Sequence, residues 1–297
     1  MSILINGTSG FVGRYLSNFL VKKHLKIEEI TLRGLNNITI NQDIETVIHL
    51  VGKAHDLKNV SNPKEYYDVN TELTKKVFDA FLVSNAKVFV TLSSVKAVAD
   101  NTEEVLTEDS IPNPLTHYGK SKRLAEEYIL ANLPNDKRVY ILRPCMIHGE
   151  GNKGNLNLLY NFVRKGIPYP LGAYDNKRSF LSIDNVCFIV NELIEREDVP
   201  SGIYNLADDT PVSTENLINL ISNVTNKRVL IWNIPKFIIN IIAKFGDYLP
   251  LPINTERVRK MTENYVVSNQ KIKIALRKEL PVSSKDGLKK TIESFNK

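Results

Sequence analysis

One segment constrains this chain more than any other: Asn6-Gly7-Thr8-Ser9-Gly10-Phe11-Val12-Gly13. It follows an apolar run at residues 3–6 and leads into residues 11–23, where Val12, Tyr15, Leu16, Phe19 and Leu20 recur at helical spacing. Glycines between a strand and a helix permit a tight turn, close approach of backbone N–H groups to a pyrophosphate and close helix packing. The helix N-terminus then favours the negative charge. Gly7 and Gly10 are separated by two residues where the more familiar pattern has one, so position, more than spacing, carries the inference.

Downstream, short β-branched runs alternate with helical patterns, which is how a parallel sheet covered by helices is written. Strands are expected at residues 29–33, 46–51, 87–92 and 139–142, and helices at 63–84 and 118–130. The stretch 149–170 is rich in Gly, Asn and Pro, as where a chain leaves its sheet for a second lobe. A helix at 183–195 and a strand at 202–206 read as a return to the sheet. The expected class is α/β, a doubly wound parallel sheet with a smaller interleaved α+β lobe. Residues 1–150, joined by 183–206, form the dinucleotide-binding domain, and 151–182 with 207–297 form the substrate lobe.

Composition narrows the function. At 297 residues and 42% apolar, the chain is long enough for such a domain and lobe. Its 39 basic and 33 acidic residues are dispersed, so the formal charge of +6 fits an anionic ligand, and no basic block interleaved with aromatics marks a nucleic-acid site. Cys145 and Cys187 sit in no metal-like or redox-like spacing; neither a disulfide scaffold nor a metal site is expected. The start Ser2-Ile3-Leu4-Ile5-Asn6-Gly7 lacks the features of a signal peptide, which points to the cytoplasm. Residues 234–249 are the most membrane-like, but Pro235, Lys236, Lys244 and Asp247 interrupt them short of the roughly 20 apolar residues a span needs. An apolar helix of the second lobe is expected there, and no membrane span.

Tyr118 and Lys122 lie four apart at the start of an expected helix, hence on one face. A tyrosine is a poor base at neutral pH, with a reference pKa of about 10, unless an adjacent ammonium stabilises the phenolate. The pair recurs by chance in many proteins, but Ser93 and Ser94 end the strand before it, at the carboxyl edge where open α/β sheets place ligands. A serine there can donate to an oxygen that gains charge.

With these motifs in order, the sequence resembles the extended short-chain dehydrogenases over nearly its full length. The resemblance implies catalysis by Ser94, Tyr118 and Lys122 with NAD or NADP. It implies cofactor contacts from Gly7, Gly10, Phe11, Val12, Gly13, Leu50, Val51, Gly52, Asn70, Leu92 and Pro144, besides Tyr118 and Lys122. A nucleotide-diphosphate sugar would meet Ser94, Tyr118, Asn155, Leu156, Arg178 and Arg257. Where an NAD-selecting carboxylate usually ends the second strand, this chain has Arg33, which suits a 2′-phosphate and equally a solvated surface. Family members often dimerise through two helices, here 63–84 and 118–130.

The resemblance implies hydride transfer at a hexose C4. Dehydratases of the family carry Asp-Glu directly after the position of Ser94; Val95-Lys96 stand here, so 4,6-dehydration ranks last. Ser93-Ser94-Val95-Lys96-Ala97-Val98 is similar to bacterial enzymes handling UDP-N-acetyl sugars for surface polysaccharides, which points first to a 4-ketoreductase and next to a 4-epimerase. A module that binds NAD(P) without catalysis is the reading from another class, and the presence of both Tyr118 and Lys122 weighs against it.

Overall fold

In the computed structural model, residues 1–34, 37–53, 62–152, 154–248 and 254–296 are described, apart from the side chains of Asn155 and Lys260. Strand β1 (Ser2–Asn6) is buried along its whole length and passes through the glycine turn into α1 (Phe11–Lys22). The helix buries Gly13, Leu16, Ser17 and Leu20, the inward positions of an amphipathic helix. The chain continues through β2 (Lys26–Ile30), β3 (Thr46–His49), α2 (Pro63–Tyr66), a π-helical turn (Tyr67–Glu72), α3 (Leu73–Val83), β4 (Val88–Leu92), α4 (His117–Ala131) and β5 (Arg138–Pro144). A second set follows: β6 (Met146–His148), α5 (Asn155–Arg164), β7 (Lys177–Arg178), β8 (Phe180–Ser182), α6 (Ile183–Glu195), β9 (Gly202–Leu206) and β10 (Val212–Ser213). The helices α7 (Thr214–Thr225), α8 (Lys236–Tyr248), α9 (Thr255–Thr262), α10 (Gln270–Leu276) and α11 (Ser284–Ser294) complete the chain.

Six strands form one parallel sheet in the order β2-β1-β3-β4-β5-β9. Strand alternation divides its side chains between two cores. Ile3, Ile5, Val88, Val90, Tyr140 and Leu142 face α1 and α6, whereas Leu4, Phe89, Val139 and Ile141 meet Phe78, Phe81 and Ile129 of α3 and α4. Both faces are covered, which is why the central strands read as apolar runs. A third core, with Leu156, Tyr160, Ile218, Ile239 and Leu288, lies in the second lobe, where β7 pairs with β10 and β6 with β8.

Three expectations need adjustment. The second strand is Lys26–Ile30 and not residues 29–33, because its ladder with β1 runs from Ser2↔Lys26 to Asn6↔Ile30 and ends where the glycine turn begins. Arg33 therefore lies beyond the sheet in an exposed turn. The third strand stops at His49, since the N–H groups of Leu50 and Val51 bond to the Asn6 side chain instead of a neighbouring strand. The expected helix 63–84 is interrupted by the π turn, a feature that often marks functional sites. Among the described residues no helix is long and apolar enough to cross a membrane.

Candidate active site

The chain leaves β1 toward β2 on one side and later enters β3 on the other, so the carboxyl ends of β1 and β3 border the crevice where such sheets bind ligands. Gly7 turns there with φ of +77°, and a Cβ on it would lie 2.9 Å from the backbone of Leu50 and Val51. On Gly13 a Cβ would come within 2.1 Å of the Gly7 carbonyl, so α1 can seat against the turn only without a side chain. Gly10 is exposed and precedes α1 with no side-chain cap on the helix's first N–H groups. An uncapped helix start beside an open glycine turn fits a pyrophosphate, and the half-buried Phe11, Val12, Leu50 and Val51 wall it.

Behind this cradle, Asn6 Oδ1 accepts the N–H groups of Leu50 and Val51, each at 3.1 Å, and faces His49 Nδ1 at 2.9 Å. Burial, reinforced by the nearby Lys122 ammonium, lowers the His49 pKa to about 3 and keeps the ring neutral. Within the turn, Thr8 donates to a Glu29 carboxylate oxygen at 2.6 Å. The carboxylate at the end of the second strand is thus Glu29, placed beside the glycines by the shifted register.

Helix α4 starts at a built corner. The Asp100 carboxylate accepts from the N–H groups of Leu115 and Thr116 and from the Thr116 hydroxyl, while Thr116 Oγ1 caps Gly119 N–H. A Cβ on Gly119 would lie 2.3 Å from the Lys96 carbonyl, so the first turn of α4 packs flush on the 3-10 turn Val95–Ala97. That packing brings Tyr118 to Ser94, and the two side chains share a hydrogen bond. Burial raises the Tyr118 pKa, the Ser94 bond opposes the rise, and Tyr66 stands edge-on at 6.3 Å.

One turn along, buried Lys122 donates to the Leu92 carbonyl at 2.8 Å, and its Nζ would lie 3.0 Å from a Cβ on Gly52. The lysine expected from the spacing therefore reaches the crevice at the end of β3. Burial lowers its pKa to about 8, partly offset by Glu126. Asn70, on the π turn, is fully buried; it accepts from Lys53 N–H and donates to the Lys53 carbonyl and the Ser121 hydroxyl. In this structure it ties the strand-end loop to α4.

Beneath Lys122 lies an ion pair that the sequence reading missed. Arg143 donates to both Glu126 oxygens, at 2.9 and 2.6 Å, and Ser93 donates to one of them; both charged residues are 1% exposed. A signal existed, because Tyr118, Lys122 and Glu126 repeat every four residues along one helix face. Tyr265 was missed with no local signal: its hydroxyl donates to the Ala99 carbonyl and its ring lies 4.5 Å under the Lys96 ammonium, so the β7 segment is tied to the Ser94 turn.

Leu92 and Pro144 close β4 and β5 on the same carboxyl edge. Arg178 is 21% exposed, with Glu263 nearby at 3.8 Å, and burial lowers its pKa. Arg257 is exposed in the first turn of α9. Leu156, in the first turn of α5, is sealed in the third core; the side chain of Asn155 lies outside the described residues. Among the described residues no group of His, Cys, Asp and Glu is placed to hold a metal ion.

The chain is 28% identical over 320 aligned residues to a UDP-glucose 4-epimerase of Vibrio cholerae, covering 99% of this chain and 95% of that protein. It is 28% identical to an N-acetyl-alpha-D-glucosaminyl-diphospho-ditrans,octacis-undecaprenol 4-epimerase of Escherichia coli O157:H7, covering 79% and 75%. Its fold matches the crystal structure of UDP-N-acetylglucosamine 4-epimerase from Bacillus cereus with a TM-score of 0.77 at 19% identity over the whole of both chains. Residues 3–207, from the first strand to the end of β9, match the NAD dependent epimerase/dehydratase family, and the chain belongs to that family.

Proposed function

We propose that this protein moves hydride and a proton at C4 of a nucleotide-diphosphate sugar, and that its net reaction is reduction of a UDP-4-keto-6-deoxy-N-acetylhexosamine for surface polysaccharide synthesis. The observation that carries the proposal is the Tyr118 phenol, hydrogen-bonded to Ser94 and one turn from a lysine that reaches the end of β3. A nicotinamide dinucleotide held at the glycine turn supplies the hydride. Burial keeps the Tyr118 proton on at neutral pH, so the residue is set to donate it as the C4 oxygen gains charge. Ser94 donates a hydrogen bond to that oxygen. Lys122, cationic below about pH 8, lowers the cost of the phenolate left behind. Arg178, Arg257 and the start of α5, with Asn155 and Leu156, would hold the diphosphate.

Dehydration needs an acid and a base beside Ser94, and Val95 and Lys96 provide no carboxylate. Exposed Arg33 is open to a 2′-phosphate, which supports NADPH besides NADH as the reductant. A second reading, 4-epimerisation of UDP-glucose or UDP-N-acetylglucosamine, is favoured by the names of the relatives. Both readings use the same residues, and in both the chain pairs with a second copy through the helices at Pro63–Val83 and α4.

The test is incubation with the UDP-4-keto-6-deoxy sugar and, separately, with UDP-glucose and UDP-N-acetylglucosamine, each with NADH and NADPH. Net oxidation of the reduced cofactor with the keto sugar supports reduction. Sugar interconversion without net oxidation supports epimerisation. Cofactor binding with neither outcome sinks both and leaves a binding module.

A further inference from the structure

A lysine buried to 8% exposure, as Lys122 is, ordinarily sheds its proton or finds a counter-ion. Lys122 donates to the Leu92 carbonyl, and among the described residues it makes no direct ion pair. Yet the phenolate left on Tyr118 after proton transfer needs that ammonium charged. Four positions on from Lys122, and so on the same side of α4, stands Glu126. The two line one cavity of about 10 Å³ with Asn70, Thr74, Thr91 and Ser93, room for no more than a single water. Away from bulk water, the carboxylate acts on the ammonium with little screening.

The other groups that face Lys122 bring it no negative charge. Tyr118 on α4 is a neutral phenol and His49 from β3 a neutral ring. The π turn and β4 contribute the Asn70 amide and the Ser93 hydroxyl. Arg143 from β5 is a second buried cation. Lys53, beyond Gly52, pairs outward with exposed Glu65, and Arg123 bonds Glu127 besides standing 3.7 Å from Glu126. Glu126 is itself fixed in place, because Arg143 grips both of its oxygens from β5 and Ser93 donates to one of them from the end of β4.

We propose that Glu126 is a positioning residue of the reaction: its fixed carboxylate, acting through Lys122, keeps the ammonium charged while Tyr118 gives up its proton. This role rests on the proton transfer proposed above for Tyr118, and it is separate from the ion pair's part in holding α4 to β5. Burial lowers the Lys122 pKa to about 8 and Glu126 opposes the fall, in line with the role. Without the carboxylate, the ammonium loses its proton at lower pH.

The charge on Lys122 is followed directly by pH titration of its ¹³Cε NMR resonance in lysine-labelled full-length protein, the resonance being identified by its loss in Lys122→Met. The natural chain is expected to titrate near pH 8. In Glu126→Gln the midpoint falls by about one pH unit or more, and with a sugar that the natural chain turns over, the alkaline limit of kcat falls with it. Glu126→Asp, which keeps the charge, keeps the midpoint close to the natural one even where it lowers stability. The double variant Glu126→Gln with Arg143→Met leaves no buried guanidinium unpaired and shows the same fall, which serves if the single variant does not fold. A midpoint unmoved by removal of the carboxylate, or one that falls as far in Glu126→Asp, overturns the role and leaves Glu126 to the scaffold. A shifted midpoint in a chain that turns over no sugar supports the hold on Lys122 and sinks only the reaction proposed above.

Discussion

At the carboxyl edge of the sheet, Asn6, His49, Asn70, Ser93, Glu126 and Arg143 are all buried, and each is bonded to a residue of another element. The charges proposed above to meet a substrate, Arg178 and Arg257, are half-buried or exposed, on a two-residue strand and a helix start. The contrast separates two jobs. Proton and hydride transfer need atoms held to a fraction of an ångström, which interlocked buried polar groups provide. The proposed holding of a flexible diphosphate tolerates looser supports.

The largest effect expected on the rigid side is at Tyr118. Tyr118→Phe keeps the ring against Tyr66 and removes the proton, so kcat should fall by about 10²–10⁴-fold with the affinity for reduced cofactor unchanged by fluorescence titration. Turnover equal to the natural enzyme would take Tyr118 out of the chemistry. Glu126→Gln comes next. It leaves the Arg143 guanidinium buried without its counter-charge, a loss of about 3–5 kcal/mol in stability. Urea unfolding measures it, and a midpoint within error of the natural chain would mean that the pair holds nothing together.

His49 gives the rigid side an acid limit. Its ordinary value of 6.5 is lowered to about 3 in the fold, so between those pH values the unfolded chain binds a proton that the folded chain refuses. Stability from this group is complete above about 6.5 and is lost as pH falls toward about 3, by a few kcal/mol in all. His49→Gln should flatten the fall in urea midpoint between pH 7 and pH 4, a range that crosses most of that window. Equal slopes in the two proteins would assign acid sensitivity elsewhere.

What was legible in the sequence divides along the same line. The glycine turn, the strand-end serines and the Tyr118–Lys122 spacing are local patterns, and the structure brings them to one crevice because a parallel sheet delivers every strand end to the same edge. The register of β2 was not legible: Lys26, Glu28 and Glu29 give an edge strand no apolar run, and only pairing with β1 fixes its limits and sets Glu29, not Arg33, beside the turn. Gly119 was visible as a residue but not as a contact, since the Lys96 carbonyl it admits lies in another element. Tyr265 bonds Ala99 across 166 positions, a distance at which no periodicity speaks.

The smallest expected effect belongs to the looser side and bears most on the contrast. Burial already strains the charge of Arg178, whose Nε donates to the Glu263 carbonyl at 3.3 Å and whose guanidinium lies 3.8 Å from the 23% exposed Glu263 carboxylate. An anionic diphosphate would be a stronger partner than this carboxylate. Arg178→Gln should therefore raise KM for the nucleotide sugar about tenfold, the worth of one charge-assisted hydrogen bond, with kcat and the urea midpoint nearly unchanged. If instead the midpoint falls as far as in Glu126→Gln, Arg178 is part of the scaffold, and the division between a rigid chemical edge and a tolerant binding lobe fails at its nearest point.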